Sequence, residues 1–189
     1  MKNVSKSLIT VIIVILVLVL PIIFSYNKLV SLEQLVNTAQ SNIDTQLQRR
    51  SDLIPNLVST VKGYASQEKD IFTDIANARS KLSGASNISE QANADTQLSN
   101  ALSRLLVIVE QYPDLKSNEN FKDLSIQLEG TENRIAVARQ DYNTAVTNYN
   151  TTRRRFPTNI ISSIFGFQEK HLYKASDSAS EVPSVDFSR

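Results

Sequence analysis

Three groups of residues in this chain have types that could hold a ligand or move a proton. They are a lone histidine (His171), an adjacent arginine pair (Arg49 and Arg50), and a triple arginine (Arg153, Arg154 and Arg155) that runs into Phe156. His171 is the single histidine of the chain and cysteine is absent, whereas a protein metal site draws on several such ligands. The Glu-x-x-His pairs that support di-iron chemistry in helical bundles do not occur. Glycine-rich phosphate loops and nucleophile elbows are also missing. The chain therefore reads as non-enzymatic, without a cofactor. Its net charge of +1 provides no field that would recruit nucleic acid.

Arg50 poses a packing problem. It falls between Leu47 and Ile54 in a run of apolar residues spaced three and four apart: Leu29, Leu32, Val36, Ala39, Ile43, Leu47, Ile54, Leu57 or Val58, Val61 and Ala65. That spacing places one stripe on one helix face, and Arg50 lies on the apolar side. A half-buried arginine needs a carboxylate. The arginine pair could bind an anion or pair nearby with Asp44 or Asp52, an Arg50–Asp52 ion pair among these; a carboxylate on another helix, Glu129, Glu132 or Asp141, is the favoured partner of Arg50. Arg49 is read as solvated. The stripe keeps its phase across Pro55, so the helix is expected to continue through the proline. The carbonyl of Ser51, left without its backbone donor, would then be satisfied by the Ser51 hydroxyl, a neighbouring helix or water.

The elements that position these residues follow from the rest of the chain. Residues 8–24, LITVIIVILVLVLPIIF, carry no charge and are long enough to cross the roughly 30 Å hydrocarbon core. No small-residue cleavage site follows them, so the segment is read as a retained transmembrane helix behind a short tail, residues 1–7. Lys2 and Lys6 precede the span, which places the N-terminus in the cytoplasm and the rest of the chain outside.

With only 4 glycines and 5 prolines, long helices joined by few turns are expected beyond the span. Gly63 predicts a helix stop and Ser66 a new N-cap. A second helix uses Ile71, Phe72, Ile75, Ala78 and Leu82. The polar run GASNISEQANADTQ predicts a loop, followed by a third helix with Leu98, Leu102, Leu105, Leu106, Val109 and Tyr112, ended by Pro113. A fourth helix starts near Ser117 or Asn118, with a row from Phe121 through Ile135, Tyr142 and Tyr149 to Phe156. The fold class is all-α: an antiparallel, up-and-down four-helix bundle over residues 25–167, with long first and fourth helices. Residues 168–189 lose periodicity and read as a mobile tail.

In that bundle the fourth helix returns toward the membrane. The segment RRRFPTNIISSIFGF then brings Arg153, Arg154, Arg155, Phe156, Ile160, Ile161, Ile164, Phe165 and Phe167 to the bilayer interface, where basic and aromatic residues together favour headgroup contact. The alternative is that these apolar residues only close the end of the bundle.

Three stretches give the chain a resemblance to the LemA family: YNKLVSLEQLVNTAQSNIDTQLQRRSDLIPNLVSTVKGYASQEK, RIAVARQDYNTAVTNYNT and RRRFPTNIISSIFGF. Together with the N-terminal span and a tail ending in VPSVDF, the similarity runs over nearly the whole chain. It implies a bacterial, membrane-anchored antiparallel helical bundle with envelope functions and no catalytic residues to carry over. The combined expectation is a non-enzymatic envelope module of the cytoplasmic membrane that contacts the bilayer, binds an unidentified envelope partner and can self-associate. The alternatives are a bilayer-remodelling protein, or a ligand sensor or enzyme with a site between helices near Arg50. An internal cavity with convergent polar groups would favour the sensor or enzyme.

Overall fold

The computed structural model describes residues 6–174. Among them the chain is entirely helical apart from its turns and an extended C-terminal segment. The first helix, α1 (Lys6–Lys62), holds both the apolar stretch and the amphipathic stripe without a break, and both Pro21 and Pro55 lie inside it. Its apolar stretch meets the length and composition needed to cross a membrane, and side chains such as Ile13, Val17 and Phe24 are exposed there rather than packed into the protein. From Leu29 onward the face changes character. Leu29, Val36, Ile43, Ile54, Leu57 and Val61 are fully buried, at the spacing expected for one stripe.

Continuity through Pro55 has a specific chemical basis. Proline has no N–H to give to the carbonyl four residues back, which leaves Ser51 O orphaned in a buried position. Arg79, from the second helix, α2 (Lys69–Ser83), takes the place of the missing donor. Its Nε lies 3.1 Å from Ser51 O and 2.9 Å from Ser51 Oγ. Of the three sources expected, the neighbouring helix is the one used. Arg79→Ala is accordingly expected to lower stability by about 1–3 kcal/mol, the penalty of a buried acceptor left unpaired. In a Pro55→Ala background residue 55 regains its N–H, and most of that loss should disappear. Urea unfolding of the two single variants and the double variant checks this coupling.

Two boundaries differ from expectation. The N-cap of α2 is Glu68, with no side-chain hydrogen bond, rather than Ser66. The third helix, α3 (Ile88–Val109), begins well inside the stretch read as a loop. A reciprocal cap explains why. Asn87 Oδ1 accepts from the Glu90 N–H at 2.9 Å, and the Glu90 carboxylate accepts from Ser86 N–H and Ser86 Oγ at 2.9 and 2.8 Å. The Ser86 backbone bond, joined by those from the Ser86 and Asn87 side chains, holds the Glu90 carboxyl below its ordinary range. This early start places Ala92, Ala94 and Asp95 in the core.

Pro113 opens a short helix, α4 (Pro113–Ser117), as its first residue, where a missing N–H costs nothing. Asn118 then caps the long helix α5 (Glu119–Arg154) by accepting from Phe121 N–H at 3.0 Å. Along α5 the buried residues are Phe121, Thr131, Ile135, Ala138, Tyr142, Val146 and Tyr149. A last short helix, α6 (Thr158–Ile164), packs on α1 and α5. The principal pairings are α1 along α5 and α2 against α3.

Residues 168–174, expected to belong to a mobile tail, are instead docked along α5, and Tyr173 is buried. The pattern method misses this because an extended segment held through its backbone needs no apolar periodicity. The remainder of the expected tail, like residues 1–5, lies outside the described residues.

Candidate functional site

Two places bring chemistry-bearing residues together: a buried charge cluster in mid-bundle and a surface at the foot of α1.

The cluster is centred on Asp95, which α3 presents with no solvent exposure. Its Oδ1 accepts from Arg50 Nη1 of α1 at 2.8 Å. Its Oδ2 accepts from the Tyr173 hydroxyl at 2.8 Å and from Arg139 Nη2 of α5. One carboxylate thus ties together α1, α3, α5 and the C-terminal segment. Arg50 Nη1 also lies 2.8 Å from Glu132 Oε2, and Arg50 Nη2 reaches Ser99 Oγ, one turn along α3 from Asp95, at 3.0 Å. The Arg139 guanidinium stacks over the Tyr173 ring, 5.1 Å from its centroid. The core of the cluster is charge-balanced, with two guanidinium groups facing two carboxylates, which is the condition for burying charge at tolerable cost.

The ionisation of these groups follows the geometry. Burial is the largest single influence and favours loss of the Arg139 proton, but the surrounding negative groups, Asp95 first, and the hydrogen bond to Asp95 together outweigh it, and the net shift is upward. The Tyr173 phenol is pushed far above the ordinary phenol range, first by burial and then by the adjacent Asp95 charge. It stays a neutral donor, which is what a hydrogen bond to a carboxylate requires.

Asp52 is not the partner of Arg50. It is exposed on the opposite side of α1, where it accepts from Gln48 Nε2 at 2.7 Å. Residues two apart on a helix point in different directions, so the pair is geometrically excluded. Glu132 is one of the distant candidates named from the sequence. Asp95 escaped because it lay in the presumed loop, and Arg139 and Tyr173 because no apolar pattern marks them.

Beside the cluster is a cavity of about 390 Å³. Leu57, Leu102, Leu106 and Leu128 form its apolar walls, and Arg50, Ser99, Ser103, Ser125, Glu129 and Glu132 supply its polar lining. The guanidinium that reaches it is already held by two carboxylates and a serine.

At the foot of α1, two residues past Phe24, the Tyr26 ring packs against Phe165 and Phe167, with centroids 4.9 and 5.7 Å apart. The segment after α5 therefore sits at the height where α1 leaves its apolar stretch. Its nine candidate residues separate into two groups. Phe156, Ile160, Ile164 and Phe165 are 81, 49, 70 and 53 % exposed. Ile161, in contrast, is buried, because Thr158, Ile161 and Ser162 form the inward face of α6. Phe167 is half-buried and packs on the core. Arg153 is turned inward, its Nε donating to Phe167 O at 2.8 Å, while Arg154 pairs with Glu169 at 3.0 Å. Arg155 is exposed. Ile161 and Phe167 are thus structural, and the outward apolar set reduces to the other four.

A sequence model described as the LemA family matches residues 39–187, most of the chain. The chain belongs to the LemA family. Magnetosome protein MamQ 2 of Paramagnetospirillum magneticum is 28 % identical over 81 % of this chain and 66 % of its own length. Magnetosome protein MamQ of Magnetospirillum gryphiswaldense is 26 % identical over 80 % of this chain and 65 % of its own. Protein LemA of Metamycoplasma hominis is 27 % identical over 85 % of this chain and 72 % of its own. The chain spans slightly under two thirds of the length of the MamQ proteins it matches. The LemA family match opens within the buried stripe of α1 and runs past Tyr173, so it takes in every member of the charge cluster.

Proposed function

We propose that this LemA family chain is a non-enzymatic, single-pass envelope module. In this reading α1, α2, α3 and α5 form an up-and-down bundle that offers an interaction surface at a set height above the bacterial cytoplasmic membrane. The bundle lies on the outer side, following the charge bias around the span. The observation that supports it is the aromatic contact of Tyr26 with Phe165 and Phe167. It holds the exposed Phe156, Ile160, Ile164 and Phe165 beside the end of the apolar stretch, where tyrosine and basic residues favour the headgroup layer. A second lipid contact beside a single span restricts tilt and swivel, which suits a scaffold that must present one face to a partner.

An environment-sensitive fluorophore at Ile164, in full-length protein reconstituted into vesicles containing anionic lipid, tests this reading. Quenching by a lipid-borne quencher is expected at Ile164 and not at Val137, which is exposed on α5. Equal accessibility of both sites to an aqueous quencher would overturn the lipid contact.

A second reading, a small-ligand sensor, is favoured by the cavity at Arg50, where leucine walls meet several polar side chains and the Ser125 hydroxyl is buried without a hydrogen-bond partner. It ranks below the scaffold because Arg50, the cation that reaches the cavity, is already hydrogen-bonded to Asp95 and Ser99 and lies in an ion pair with Glu132.

A further inference from the structure

The extended segment after α6 is held by a repeat that the sequence displays openly: Tyr142-Asn143 and Tyr149-Asn150, the same dipeptide seven residues apart on α5. Asn150 Nδ2 donates to Lys170 O at 2.8 Å and its Oδ1 accepts from Lys170 N–H at 3.1 Å. Asn143 makes the same pair of bonds with Tyr173, at 3.0 and 2.8 Å. The tyrosine of each unit adds one bond. Tyr149 Oη donates to Gln168 O and Tyr142 Oη to His171 O, both at 2.9 Å.

The two spacings match physically. Seven residues of α-helix rise about 10.5 Å, and three residues of extended chain cover about 10 Å. Successive Tyr-Asn units of α5 therefore meet backbone groups three residues apart on a strand running in the opposite direction. What they read is main chain, independent of side-chain identity. Sequence selectivity enters at three points. Glu169 pairs with Arg154 of α5 at 3.0 Å. Lys170 Nζ pairs with Glu33 Oε1 of α1 at 2.7 Å, and Tyr173 inserts its hydroxyl against Asp95.

We propose that the Tyr-Asn heptad of α5, with Glu33 and Asp95 on either side, is an extended-peptide docking site. Its resident ligand is the chain's own strap, and the occupant it exchanges for is the strap of a second copy. Three observations support a second copy over an unrelated peptide. Every copy carries the Lys-x-x-Tyr pattern that fits the groove. The strap joins α6 through Gly166, whose φ of 74° lies where only glycine is unstrained, so the link carries the residue type with the widest choice of backbone directions. A common membrane span also keeps the grooves and straps of neighbouring copies at one height. Exchange of an identical element makes no new kind of contact, so it links copies at little cost in free energy. The cis strap competes through its high effective concentration, so exchange grows when that strap is weakened. This inference stands apart from the lipid contact, and water exposure at Ile164 would leave it untouched.

Two differently tagged full-length chains reconstituted together in vesicles provide the test. One carries a benzoylphenylalanine crosslinker in place of Leu172; the other is the acceptor. The expected result is a covalent pair whose crosslink maps to α5 of the acceptor. It should rise several-fold when the acceptor is Tyr173→Ala, rise less when it is Tyr173→Phe, and vanish when it is Asn143→Ala with Asn150→Ala. Circular dichroism confirms that each acceptor is folded, and the phenylalanine variant serves if the alanine variant is not. Crosslinks that stay within one chain for every folded acceptor, or that map away from α5, would overturn the proposal.

Discussion

Asp95→Ala is expected to lower the unfolding free energy by about 3–5 kcal/mol, the range for breaking a buried ion pair by removing one partner. The reason lies in what is left behind rather than in what is removed. Arg50 is 4 % exposed and cannot turn to water. The Tyr173 hydroxyl loses its acceptor and the Arg139 guanidinium its strongest counter-charge. Glu132 still faces Arg50, but its side chain is 42 % exposed and compensates only part of the loss.

Replacing the buried cluster behaves differently from breaking it. A chain with Arg50→Met, Asp95→Leu, Arg139→Met and Tyr173→Phe together removes the desolvation penalties and leaves neither the Tyr173 hydroxyl nor the Arg139 guanidinium without its acceptor, and is expected to lie within about 2 kcal/mol of the parent. Denaturant midpoints for Asp95→Ala and for the quadruple variant, read by circular dichroism, check the pair of outcomes. A loss below about 1 kcal/mol for Asp95→Ala would mean that Asp95 is not desolvated as described.

Tyr149→Ala is expected to cost a similar amount, about 3–5 kcal/mol, as for other large aromatic truncations in a core. Tyr149 is fully buried, packed in the core that joins α5 to α1, and its hydroxyl reaches over that core to the Gln168 carbonyl. The alanine variant opens a cavity and removes one rung of the strap ladder. Tyr149→Phe keeps the ring in place, along with the Lys170 ammonium 5.9 Å above it, and loses only the rung. Its cost should be about 1 kcal/mol, that of one hydrogen bond. Amide exchange separates the effects. In Tyr149→Phe, faster exchange should be confined to residues 168–173, whereas in Tyr149→Ala it should spread to the facing turns of α1. Uniform acceleration in both variants would show that strap and core open as one unit.

Much of the architecture was open to reading in one dimension. Local signals gave the apolar stretch, through its uncharged run, the phase kept across Pro55, through a stripe spaced at three and four residues, and the stop near Gly63 and the start of α5, through residues that end and begin helices. The α3 boundary was misread because the polar run GASNISEQANADTQ contains a capping arrangement, Ser86-Asn87 with Glu90, that turns a loop-like composition into a helix start. The Tyr-Asn repeat on α5 was equally visible, and its seven-residue spacing was the one available signal that something extended lies along that helix.

The linear chain by itself determined most of the helices, which faces are apolar and which stretch is long and apolar enough to cross a bilayer, because each depends on residues a few positions apart. Only the tertiary structure decided that Arg50 meets Asp95 rather than Asp52, that Arg79 fills the gap left by Pro55, and that residues 168–174 are docked. Those contacts join residues 15 to 78 positions apart. Coulomb attraction and hydrogen bonding act through space, and no local periodicity encodes which distant partner will be there.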